Sequence, residues 1–92
     1  MKAILTYATM EKDKSVKTTR LFDTEKSEKI CDVKNSFGKN VQEIYITKKG
    51  TIFVHTIGTK KLEVADQEKI KAWIGENEPD KYIRFFGEVE EG

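Results

Sequence analysis

Two runs rich in β-branched and aromatic residues, 41–47 and 51–57, flank the turn Thr47-Lys48-Lys49-Gly50-Thr51, and this pattern constrains the chain more than any other. Gly50 falls where a type I turn needs positive φ to form the bulge that restores strand twist, so the segment reads as a β-hairpin. Gly58-Thr59 then suits a II′ turn with Gly first, returning residues 60–64 as a third strand.

Around this meander the remaining elements follow from periodicity and punctuation. Ile4, Thr6 and Ala8 alternate with Leu5, Tyr7 and Thr9, which predicts a strand over 2–10, a polar loop over 11–15, and a partner strand over 16–22. Asp23 or Thr24 as N-cap, the spacing of Ile30, Val33 and Phe37, and Gly38 as a stop predict a helix over 24–37. Its ion pairs would run among Glu25, Glu28, Asp32, Lys26, Lys29 and Lys34. Asp66 caps a second expected helix, 67–76, closed by Asn77 and Pro79, and Tyr82-Ile83-Arg84-Phe85-Phe86 reads as a last strand before an acidic, fraying end at 88–92. The expected fold is a single α+β domain over 1–92, ordered β-β-α-β-β-β-α-β. Its one mainly antiparallel sheet carries two helices on one face, and the layout is related to the ferredoxin-like β-α-β-β-α-β arrangement.

Charge bears on partners more than on fold. The chain has 17 bases and 16 acids, net +1, so no bulk charge holds it on nucleic acid or a membrane. The distribution is uneven: residues 1–65 carry 13 bases and 8 acids, net +5, and residues 66–92 carry 4 and 8, net −4. Cys31, the only cysteine, cannot form an internal disulfide and suits a reducing cytoplasm. The apolar start is too short for a signal peptide or a membrane span, so no membrane association is expected.

No constellation points to catalysis, a metal or a cofactor. His55 is the sole histidine, metal-ligand spacings are absent, and Cys31 reads as a small apolar residue more readily than as a nucleophile activated by His55. Glycine-rich phosphate loops and a nucleophile elbow are also missing. The segment Lys49-Gly50-Thr51-Ile52-Phe53-Val54-His55-Thr56 resembles the RNP1 signature of RNA-recognition motifs at Lys49, Gly50, Phe53 and Val54, and departs from it at Thr51 and Thr56. Tyr7 and Phe53 would then form a base-stacking platform, with Lys48, Lys49, Lys60 and Lys61 reaching phosphates and Lys12, Lys14, Lys17 and Arg20 adding charge from the first hairpin.

The last apolar run offers a different surface. As a strand it would turn Tyr82, Arg84 and Phe86 to one face, uncovered by helices, and so offer aromatic area to a protein partner or to a second copy in a two-fold dimer. From Glu43 onward, Glu43-Ile44-Tyr45-Ile46-Thr47-Lys48-Lys49-Gly50 and then Ala72-Trp73-Ile74-Gly75-Glu76-Asn77 resemble small uncharacterised bacterial proteins of phages, plasmids and integrative elements, over about half the chain. The resemblance implies an accessory protein without catalytic residues. The leading expectation is therefore a non-enzymatic cytoplasmic interaction protein that regulates or inhibits a host macromolecule, an anti-defence inhibitor being one form. A nucleic-acid-binding module is the alternative.

Overall fold

A computed structural model describes residues 1–92. Strands β1 (Lys2–Glu11) and β2 (Lys14–Asp23) form a hairpin, a single 3₁₀ turn follows at Thr24–Lys26, and β3 (Glu28–Lys34), β4 (Asn40–Ile46), β5 (Ile52–Thr56) and β6 (Lys61–Val64) make an antiparallel meander. Helices α1 (Gln67–Asn77) and α2 (Pro79–Phe86) complete the chain. The fold is α+β with antiparallel sheets, as expected, but the order is ββ-ββββ-αα in two sheets rather than β-β-α-β-β-β-α-β in one, and a ferredoxin-like crossover is absent.

Two expected elements are replaced. Asp23 does cap, accepting from the Glu25 N–H at 3.0 Å, yet the helix ends after one turn because Ser27 turns extended and anchors its hydroxyl on the Asp23 carbonyl at 2.8 Å. Residues 28–34 then pair with β4 as β3, and Gly38, at φ +79, serves the β3–β4 turn instead of a helix end. In the last run the spacing of Tyr82, Phe85 and Phe86 proves helical. Pro79, taken from the sequence as closing α1, is the first residue of α2, where its missing N–H costs nothing. Gly87, at φ +94, ends that helix.

The turns agree in part. Gly50 adopts φ +90, its N–H donates to the Thr47 carbonyl at 2.9 Å, and the β4–β5 hairpin follows with Ile46 opposite Ile52. The II′ turn at Gly58 does not form; Lys60, at φ +55, takes the left-handed position there. In the first hairpin Lys12 and Asp13, at φ +49 and +65, form a two-residue turn between Glu11 and Lys14.

The four-stranded sheet is covered on both sides. Ile30, Cys31, Ile44 and Ile52 face α1, whose Ile74 is fully buried, and Tyr82, Phe85 and Phe86 of α2 pack on the same cluster. On the opposite face Phe53 and Leu62 meet Phe22 of the hairpin, bordered by Ala3, Leu5, Tyr7, Tyr45 and Val64. A β-bulge between Lys29 and Cys31 turns both Ile30 and Cys31 toward the helices.

Gln67 joins α1 to the sheet. Its Oε1 accepts from the Ile52 N–H at 2.8 Å, and its Nε2 donates to the carbonyls of Ile52 at 2.9 Å and Ala65 at 2.7 Å. The side-chain amide thus stands in for a strand's backbone beside β5. Gln67→Ala strands these groups and is expected to lower stability by about 1–3 kcal/mol; urea denaturation should show a lower midpoint at unchanged slope.

Candidate functional site

A cleft of about 340 Å³ opens between the hairpin and the β4–β5 turn, and it gathers four bases at one end of the sheet. Arg20 from β2, Lys26 from the 3₁₀ turn, and Lys48 and Lys49 from the β4–β5 turn line it, with Tyr7, Leu21 and Phe22 as its apolar wall. None of the four bases forms a salt bridge. Asp23 is the single acid in the lining, and its carboxylate is occupied by the Glu25 N–H.

Local structure places each group. The left-handed Gly50 holds Lys48 and Lys49 on the tip of a tight turn, braced by the Thr47 hydroxyl, which accepts from the Thr51 N–H at 3.1 Å. Tyr7 sits on the inner face of the hairpin, edge-on to Phe22 with ring centroids 5.7 Å apart. Lys26 reaches the cleft only because the helix stops at Ser27. On a helix over 24–37 it would join the surface ion pairs; the adjacent apolar pair Ile30-Cys31, which suits a bulged strand, is the signal against that helix.

Of the nucleic-acid candidates, Tyr7, Lys48 and Lys49 therefore come together, joined by Arg20 and Lys26. Phe53 does not join them. It is fully buried, stacked on Tyr45 at 5.4 Å and edge-on to Phe22 at 5.1 Å, and the hairpin covers the face on which a base would stack. Lys60 and Lys61 lie at the β5–β6 turn, at the other end of β5, and Lys61 is paired with Glu63 at 2.8 Å.

The expected partner surface of Tyr82, Arg84 and Phe86 is also redistributed. The helix brings Tyr82 and Phe86 into mutual contact, centroids 5.1 Å apart, against the core beneath α2. Arg84 points outward, lying over the Phe85 ring at 5.2 Å and approaching Glu28 at 3.7 Å. The alternation that set these three on one water-facing side is overturned, and with it the argument for a dimer through that face.

A second polar cluster crosses the hairpin face of the sheet. Glu43 accepts from Lys29 at 3.2 Å through Oε2 and meets His55 Nδ1 at 2.8 Å through Oε1, while Asp32 lies 2.8 Å from the same Lys29 ammonium, outside hydrogen-bond alignment. His55 faces Glu43 because the hairpin register sets these residues opposite each other, a juxtaposition readable by counting back from the Lys-Lys-Gly turn. Cys31 is buried on the other face, so it and His55 cannot act together. Burial, followed by the charges of Glu78 and Asp32, pushes its thiol up to about 11.

The bond to His55, the largest influence, holds the Glu43 carboxyl below its ordinary 4.5 against the opposing effect of burial, with a weaker contribution from Lys29. A lowered carboxylate stabilises the fold fully above the unfolded value and ceases to as pH falls through the folded one. Wild type should thus lose stability below pH 4.5 more steeply than Glu43→Gln, as read from urea midpoints between pH 3 and 6. Cys31 should ignore a thiol reagent such as DTNB at pH 8 until urea unfolds the chain. No family model matches this chain, and neither a curated protein nor a solved structure matches it.

Proposed function

We propose that this chain is a non-catalytic module that binds single-stranded nucleic acid through the cleft between its hairpin and the β4–β5 turn. The observation that carries the reading is the convergence of Arg20, Lys26, Lys48 and Lys49, all without ion pairs, around Tyr7 in a concave site. Bases without internal partners keep their full charge for phosphates, and each phosphate contact releases a counterion from the strand. An aromatic ring within such a groove is the usual means of holding bases without reading their sequence. The cleft, at about 340 Å³, lies at the lower end of ordinary ligand sites; this supports contact with one nucleotide and its flanking phosphates at a time.

Surface binding without chemistry, the broader expectation from the sequence, is kept. The aromatic strand that was to carry it is replaced by the basic cleft, since Tyr82 and Phe86 are committed to the core. No helix is long and apolar enough to cross a membrane.

The test is fluorescence anisotropy with a labelled oligothymidine of 20 nucleotides over a salt series. Three or four neutralised phosphates give a log–log slope of about −2 to −3, and Lys48→Ala with Lys49→Ala should flatten it by about 1.4. Lys60→Ala with Lys61→Ala should leave the slope unchanged. No binding at 20 mM salt, or a slope indifferent to Lys48 and Lys49, would refute the proposal.

A further inference from the structure

The acidic residues that follow α2 emerge at the basic end of the sheet. Glu78, just before α2, and Lys81 in its first turn line a recess with Asp32 and Lys34, whereas Arg84, further along the helix, approaches Glu28 at 3.7 Å. Helix α2 therefore runs antiparallel to β3 and ends beside the start of that strand. Glu28 is paired with Ile46, two residues before Lys48, and follows Lys26 by two. A groove lined by Lys26, Ser27, Glu28, Ile46, Thr47 and Lys48 connects this corner to the cleft.

Gly87-Glu88-Val89-Glu90-Glu91 thus begins one bend away from the cleft's rim. Two extended residues separate Glu28 from Lys26, about 7 Å, while beyond the helix end at Phe86 the two to four residues to Glu88 and Glu90 span up to about 7–14 Å. Reach is sufficient. Glu88, Glu90 and Glu91 are exposed and form no ion pair, just as the four cleft bases form none. Opposing the approach are Glu25 and Glu28, which also line the groove. Arg84 offsets Glu28, and the two acids face four bases.

We propose that the segment Glu88, Glu90 and Glu91 folds back onto Lys26, Lys48 and Lys49 and competes intramolecularly with the anionic partner of the cleft. The inference rests on the binding reading above and names the regulation of that site. A tether this short gives its charges an effective concentration in the millimolar range, which a partner must displace. Tight binders succeed and weak, sparsely charged ones are refused.

The contact itself is read without any ligand. A spin label on Val89→Cys, with buried Cys31 left unreacted, should broaden the amide signals of Lys26, Lys48 and Lys49, and 300 mM salt should remove the broadening. Neutralising Glu88, Glu90 and Glu91 to Gln should raise affinity for the oligothymidine about fivefold at 50 mM salt, the low end of ordinary coupling. Neutralising Glu76, Glu78 and Asp80 instead should change it by less than about twofold, since these charges lie at the opposite end of α1 and α2 and are largely screened. Absence of broadening, or equal gains from the two triple variants, overturns the competitor. Broadening in a chain that binds no oligonucleotide sinks the nucleic-acid reading alone, and binding without broadening sinks the competitor alone.

Discussion

Ile52 and Phe53 are adjacent in the chain, fully buried, and on opposite faces of the same strand, and the rest of the architecture follows from that pair. A strand apolar on both sides must be covered on both sides. Helices α1 and α2 cover Ile52, and the β1–β2 hairpin covers Phe53. Only eight residues are buried in all, so neither layer can be spared in a core this small. The Gln67 amide, bonded to both the N–H and the carbonyl of Ile52, sets the start of α1 against β5 and thereby fixes which face the helices take.

The basic cleft is a by-product of this covering. A hairpin laid across the sheet leaves a step where its strands end and the β4–β5 turn rises, and the step is where Tyr7, Arg20, Lys26, Lys48 and Lys49 converge. Some bases outside it are instead paired locally. Lys29 sits between Asp32 and Glu43, and Arg84 covers the Phe85 ring beside Glu28.

How much of this was legible varies with the range of the signal. The turn at Gly50, the first hairpin and α1 rest on local chemistry, and each forms. The Asp23 cap is genuine as well, but a cap specifies where a helix starts and says nothing of its length; pairing of Lys29, Cys31 and Val33 with β4 outweighs three apolar residues at helical spacing. Residues 82–86 were ambiguous in a different way, since a run of five with four apolar members satisfies both periods. Pro79 tips it toward helix by supplying a pre-set first residue. Of the cleft, Lys48 and Lys49 are legible because turn chemistry exposes them and Tyr7 because it is a strand aromatic, while the burial of Phe53 is not, because nothing local announces that the distant β1–β2 hairpin lies over it.

That hairpin has an uneven footing. All its contacts with the buried Phe53 cluster come through Ala3, Leu5, Tyr7 and Phe22, whereas Val16, on the same face toward the tip, is 37% exposed. Backbone pairing continues unbroken to Glu11 and Lys14, but in the outer half it is held by little besides itself, and two-stranded ribbons are marginal in water. Protection against amide hydrogen exchange should therefore decline along the ribbon from base to tip, as in a lever hinged at Phe22. Because Tyr7 and Arg20 lie on the braced half, the wall of the cleft stays rigid while the free end samples solvent.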